Sequence, residues 1–245
     1  MPAMLRFRPF WLALGFLTTL PVPDVGKVRP GERRAASAYY PLVGWVVGAV
    51  LVAVAALAQA WPPGLAAALV LAAWLAVTGM LHFDGLLDSA DALLAPRTPT
   101  ERLQILADVH HGSFALGVGA VFLILKWQAI AASPDLWGLA LAPVAARTWI
   151  LPLLGLFPSA RPGGLGASAR GGSWGWGLLF AAPLALLAPG PAAAAGAWAL
   201  GFAFWSSRRL GGGLTGDVYG AAVETAELVF LLAALLWRAP GMTFG

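Results

Sequence analysis

The sequence predicts an all-α, polytopic membrane protein with about seven transmembrane helices and a short N-terminal interfacial or re-entrant helix. Three observations carry this. Hydrophobic residues make up 60% of the 245, and the mean hydropathy is +0.79. Asp, Glu, Lys and Arg together reach only 11%, where a soluble domain carries about 25%. Apolar runs of spanning length recur along the chain, and in lipid such runs satisfy their backbone polar groups internally as helices.

The elements follow in order. Trp11–Pro23 is apolar but short, and Pro21 and Pro23 break it. It lacks a small-residue cleavage pattern, so it reads as an interfacial or re-entrant helix kept in the mature protein. The polar loop 24–37 holds Lys27, Arg29, Arg33 and Arg34. Spans are expected at Ala38–Ala60, Leu65–Leu81, Ser113–Ala132, Leu136–Leu156, Trp174–Ala188 and Ala192–Trp205, and from Asp217 to near Trp237. Trp61-Pro62-Pro63-Gly64, Ser133-Pro134-Asp135 and Pro189-Gly190-Pro191 are turns by residue type. In the polar stretch Ala92–Gly112, Thr100 followed by Glu101 looks like a helix start. No internal repeat is evident, and residues 1–245 are expected to form a single integral-membrane catalytic domain.

With this count, loops 24–37, 82–112, 157–173 and 206–217 share one side. The connections at 61–64, 133–136 and 189–191 contain no Lys or Arg. Positive-inside placement then puts the polar loops in the cytoplasm. The same placement accounts for the net charge of +4 without nucleic acid. The absence of Cys excludes disulfides and cysteine-ligated zinc or iron–sulfur clusters.

Charge is scarce, so its clustering is informative. His82-Phe83-Asp84-Gly85-Leu86-Leu87-Asp88-Ser89-Ala90-Asp91 sets three carboxylates at i, i+4 and i+7 of a helix, on one face. Like charges so placed repel by roughly 0.2–0.5 kcal/mol per pair. A divalent cation or ionic substrate between them relieves that. The plainer reading is an acidic first turn stabilised by the helix dipole. A second constellation is Thr215-Gly216-Asp217, followed by Glu224 and Glu227. Asp217 and Glu224 share a helical face, and Glu227 lies about 80° from Asp217. The preceding glycines suit a backbone that approaches phosphate. Carboxylates entering an apolar segment are costly and usually functional.

Lys126 and Arg147 lie deepest in apolar segments. They either pair with these carboxylates or neutralise a pyrophosphate. His82 falls on the helix face opposite Asp84. His110 and His111 lack a third histidine nearby for a zinc site. A Gly-x-Ser-x-Gly elbow and a Walker A loop are both absent.

Taken together, these motifs resemble the cobalamin synthase (adenosylcobinamide-GDP ribazoletransferase) family along nearly the whole chain. The likeness includes Phe16-Leu17-Thr18-Thr19-Leu20-Pro21-Val22-Pro23, Tyr40-Pro41-Leu42-Val43-Gly44, the His82–Asp91 motif, Asp108 with Gly112, and Gly164-Leu165-Gly166. It ends with Thr215-Gly216-Asp217 through Gly220-Ala221-Ala222 to Glu224 and Glu227. The resemblance implies a multi-pass enzyme of the cytoplasmic (inner) membrane, with its active-site loops in the cytoplasm. It joins adenosylcobinamide-GDP to α-ribazole or its 5′-phosphate and releases GMP late in vitamin B12 biosynthesis. It also implies Mg²⁺ on Asp84, Asp88, Asp91 and Asp217, with Glu224 as a further catalytic candidate. His82, Lys126, Arg147, Asp108, Gly216 and Glu227 then face substrate. The expected partners are these small molecules and membrane lipid, with no nucleic acid and homo-oligomerisation left open. The chain departs from the family pattern at His110, where an Arg is common, and at Ala92, where a Gly is common. A CDP-alcohol phosphotransferase and, in another class, a transporter with acids lining an ion path remain as alternatives.

Overall fold

The computed structural model describes residues 7–133, 136–161, 164, 168–171 and 174–237, with the side chain of Trp174 excepted. Pro134 and Asp135 of the expected turn, and Leu165 and Gly166 of the Gly-Leu-Gly match, lie outside them. The described residues fold into helices, with one isolated bridge between Ser159 and Leu214. In order these helices are α1 (Arg8–Leu17), α2 (Glu32–Ser37), α3 (Tyr40–Leu57), α4 (Pro63–Val77), α5 (Leu81–Leu94) and α6 (Pro99–Ile105). Then follow α7 (Ser113–Ala131), α8 (Trp137–Leu156), α9 (Trp174–Leu187), α10 (Pro189–Arg209) and α11 (Gly216–Leu236).

The all-α membrane class holds, and the expected count of about seven spans is somewhat higher than the four or five candidates among the described residues. Among the described residues, four helices are long and apolar enough to cross a bilayer: α3, α7, α8 and α11. α4 and α5 make a fifth only if taken as one broken span, bent by 89°. The physical reason is length and composition. At 1.5 Å per residue, the 15 residues of α4 reach about 22 Å and the 14 of α9 about 21 Å, short of a ~30 Å hydrocarbon core. The 21-residue α10 is long enough, but its Pro, Gly and Ser residues and the closing Arg208 and Arg209 make it less apolar than the other four. The N-terminal segment is helical only over the 10 residues of α1, half a bilayer at most, as an interfacial or re-entrant piece requires.

Small residues set the tightest packing. A Cβ on Gly44 of α3 would lie 2.6 Å from the Cα of Val144 on α8. Gly48, one turn on, abuts Ala140 of the same helix. This is the small-xxx-small contact that lets membrane helices touch by backbone. Gly85 of α5 and Gly220 of α11 do the same at the crossing that matters here. A Cβ on Gly85 would lie 2.6 Å from the carbonyl oxygen of Asp217, and one on Gly220 would lie 3.3 Å from the Cα of His82.

The corner between α4 and α5 is built from Gly79 (φ 58°) and Met80 (φ 57°), both left-handed. A non-glycine there is uncommon and costs energy. The chain after α1 braces it. Thr19 donates its backbone N–H to the carbonyl of Val77 (2.8 Å) and its hydroxyl to that of Ala76 (2.9 Å). The far end of α5 is closed by two arginines. Arg102 Nη1 donates to the carbonyls of Ala92 (2.6 Å) and Leu93 (2.7 Å), and Arg209 Nη1 to that of Leu93 (2.7 Å). They satisfy carbonyls that a helix C-terminus leaves open. The α6 start is one register earlier than Thr100 suggests. Thr98 is the N-cap, with Glu101 completing a capping box.

Candidate active site

The two acidic motifs meet where α5 crosses the start of α11. Asp84 and Asp88 stack one turn apart on α5. Asp88 lies within electrostatic range of Asp84, Asp217, Asp91 and His111. Asp217 sits in the first turn of α11, whose N-cap Thr215 has its hydroxyl 3.5 Å from the amide of Val218. Gly216 beside it is exposed. The loop holding His111 closes the group. The His111 ring is 3.4 Å from an oxygen of Asp88 through Nδ1 and 3.7 Å from one of Asp84 through Nε2. The Asp84 side chain is 64% exposed and that of Asp88 15%, so the cluster is a mouth rather than a sealed chamber.

Asp91 turns to another task. One oxygen accepts the backbone N–H of Gly112 (2.5 Å) and the other that of Ala115 (3.0 Å). These are orphan donors at the N-terminus of α7, so Asp91 caps that helix from a distance. A Cβ at Gly112 would lie 2.9 Å from the Asp91 carboxylate, which explains a glycine there.

Glu224 and Glu227 lie deeper on α11, with no exposed surface. Lys126 Nζ donates to both, at 2.7 Å each. Arg147 Nη1 donates to the other oxygen of Glu227 at 2.8 Å and to the carbonyl of Pro143 at 3.1 Å. Lys126 also stands 4.0 Å from the Trp74 ring centroid. Two cations and two anions balance in a core that excludes water. His82 faces this quartet rather than the mouth. It is 4% exposed, with Arg147, Glu227 and Lys126 as its charged neighbours. Lys126 and Arg147 are therefore paired with carboxylates, one of the two arrangements their sequence positions allowed.

Asp108 stands apart from the acids. It accepts from the amide of His110 (3.1 Å) and contacts that ring at 2.7 Å. The His110 ring bond, then its backbone N–H, hold the Asp108 carboxyl below the usual aspartate range. So His110, at the position where an arginine was expected, is taken up locally. Two residues at the mouth had no sequence signal of their own. From sequence, His111 suggests only a zinc ligand. Arg161, on a Gly- and Arg-rich loop, is the chief favourable charge near Asp217 and is anchored through Nη2 to the carbonyl of Leu103 at 2.7 Å. Its loop is fastened to the segment before Asp217 by Leu214 N–H to Pro158 O and Ala160 N–H to Leu214 O, both 2.9 Å. The Pro158–Ala160 contact with Leu214 joins distant segments, so spacing along the chain gave no hint of it.

The fold and this mouth define a multi-pass helical membrane protein in which carboxylates from two helices face a histidine and an arginine, a donor set suited to cations and phosphates. The cobalamin-5-phosphate synthase family matches residues 9–235, and the chain belongs to that family. It is 49% identical over 229 residues to the adenosylcobinamide-GDP ribazoletransferase of Deinococcus radiodurans, covering 92% of this chain and 85% of that one. Its identity to the enzyme of the same name from Desulfitobacterium hafniense is 41% over 254 residues, covering 96% and 98%. To that from Pseudomonas aeruginosa it is 42% over 242 residues, covering 94% and 98%. No solved structure matches the chain.

Proposed function

We propose that this chain joins adenosylcobinamide-GDP to α-ribazole or its 5′-phosphate, releasing GMP and forming adenosylcobalamin or its 5′-phosphate. The observation that carries the reading is the convergence of Asp84, Asp88 and Asp217 around His111 and Arg161, in a chain of this family. The site faces the cytoplasm, because arginine-bearing loops surround it.

Among the described residues, no three His, Asp or Glu side chains close on one point as a preformed metal cage. Mg²⁺ does not require one: it is commonly held by one or two carboxylates, with water and substrate phosphate completing its shell. Asp84, Asp88 and Asp217 fit that mode as hard oxygen donors at an open mouth. Mg²⁺ bound there offsets charge that develops on the phosphates. The residues of the chain do the rest. Arg161 draws the pyrophosphate to Asp217. The ribazole hydroxyl attacks the cobinamide-side phosphorus, the bond from that phosphorus to the GMP oxygen breaks, and a carboxylate of the mouth takes the hydroxyl proton. His111, 3.4 Å from Asp88 and 3.7 Å from Asp84, positions those two side chains. Asp91 holds the start of α7, and Glu224 and Glu227 stay in the core.

The test is a direct assay. Purified protein is given adenosylcobinamide-GDP and α-ribazole, then separately a CDP-alcohol and an acceptor alcohol, each with Mg²⁺. GMP release with corrinoid product is expected in the first. CMP release in the second, with none in the first, assigns the chain to the CDP-alcohol chemistry and overturns the reading.

A further inference from the structure

α5 has a second face. Opposite the aspartates, Leu86, Ser89, Ala90 and Leu93 form one wall of a cavity of 530 Å³, completed by residues of α7, α10 and α11. Its lining is almost wholly apolar, with Ser89 and Thr225 the polar exceptions. From α10 it receives Trp198, Phe202 and Trp205, spaced i, i+4 and i+7 and so on one face. The rim is on the outside of the bundle: Ala197, Trp198 and Gly201 keep exposed surface there. α7 and α11, which flank it, are long and apolar enough to lie in lipid.

The aromatic face ends in charge. Arg208 and Arg209 follow Gly201 and Phe202 by seven residues and continue the same face. Arg209 stacks 4.9 Å from the Trp205 ring and is tied to α5 through Leu93. Arg208 lies 4.4 Å from the Phe204 ring, is exposed, and pairs with no carboxylate among the described residues. The lining on α10 runs from Ala197 to Trp205, eight residues or about 12 Å of helix, most of the half-thickness of a ~30 Å hydrocarbon core, and Arg208 lies about one turn beyond it. An apolar slot of that length, open sideways and with an unpaired guanidinium about one turn beyond its last lining residue, suits an acyl chain with an anionic head.

We propose that this cavity holds an acyl chain of an anionic membrane phospholipid, with the lipid phosphate beside Arg208. The proposal stands apart from the reaction assigned above, because its residues lie on the opposite face of α5 from the carboxylates. The lipid then fills the space behind the acid-bearing helix and supports it from the rear.

The structure also supplies the test. A Cβ on Gly201 would meet nothing within 4 Å, so Gly201→Leu projects into open space at the slot, and Leu favours helix over Gly. Wild type, Gly201→Leu, Ala197→Leu and Arg208→Gln are delipidated in mild detergent. Each is then offered equal phosphatidylglycerol and phosphatidylcholine, and retained lipid is counted by native mass spectrometry. Wild type is expected to keep one phosphatidylglycerol per chain. Gly201→Leu and Ala197→Leu, folded by circular dichroism, are expected to keep less by about ten-fold or more, since the new side chain occupies the slot. Arg208→Gln should still bind lipid but lose its preference for the anionic head. Equal retention by wild type and both filled variants overturns the proposal. So does a wild type that keeps no lipid, or a wild type that runs as a dimer while both filled variants run as monomers, which would give the cavity to a second copy of the chain.

Discussion

α11 carries carboxylates in two settings, and their contrast is instructive. At its N-terminus Asp217 joins Asp84 and Asp88 at an open mouth, where negative charge outnumbers positive. Two turns deeper, Glu224 and Glu227 meet Lys126 and Arg147 in a quartet that is neutral and sealed. Desolvating an ion is expensive, so buried charges must be matched one for one. A charge left unmatched survives only where water or a ligand can reach it. The deep set therefore builds the helix packing, and the shallow set is left to act on something that arrives.

The comparison breaks first, and hardest, at the quartet. Lys126→Met leaves Glu224 without a cation and should cost about 3–5 kcal/mol, read as a lowered unfolding temperature in detergent. Adding Glu224→Gln restores charge balance and should recover much of that loss. An unchanged midpoint for Lys126→Met would show that water already reaches the quartet. At the mouth the opposite pattern is expected. Asp84→Asn and Asp88→Asn should unfold like wild type yet lose turnover on the order of 100-fold. Wild-type rates from either would remove that carboxylate from the chemistry. Asp91 sharpens the boundary between the two sets. Asp91→Ala removes the cap of α7 and should cost about 1 kcal/mol. Asp91→Asn, which keeps one acceptor oxygen and turns an NH2 toward the other amide, should lose part of that stability but keep most activity; a loss of turnover as deep as that of Asp88→Asn would return Asp91 to the mouth.

The smallest effect lies at α6. Glu101 is held below the usual glutamate range, first by the Thr98 backbone N–H and then by its hydroxyl. A carboxyl so lowered adds stability above its unfolded value and loses it as pH falls through the folded one. Glu101→Gln, which removes the titrating carboxyl and both of its Thr98 bonds as a carboxylate acceptor, should therefore flatten the acid limb of the stability curve below about pH 4.5; an identical limb would show that Glu101 adds nothing.

Much of this was legible because charge is rare in an apolar chain. Asp84, Asp88, Asp91 and Asp217 stood out at once, and the helical face of the first three follows from spacing alone. The pairing of Lys126 with residues 98 and 101 positions away was open to two readings, since sequence distance carries no contact. His111 and Arg161 were hidden for the same reason: Gly112 brings one to the mouth by meeting Asp91, and a two-bond link to Leu214 brings the other. The expected span count exceeds that of the described residues at α4, α9 and α10, and at the first of these a corner stands in place of a crossing. Nothing in Gly79-Met80 announces that a methionine will adopt a left-handed backbone, and the residue that braces the corner lies 57 positions upstream of its partner.

That brace has a further consequence. A threonine near the front of the chain holds two carbonyls where α4 ends, one through its hydroxyl and one through its backbone N–H. The seat of the acid-bearing helix thus depends on a segment that carries none of the acids, and the leading helix and the elbow form one mechanical unit.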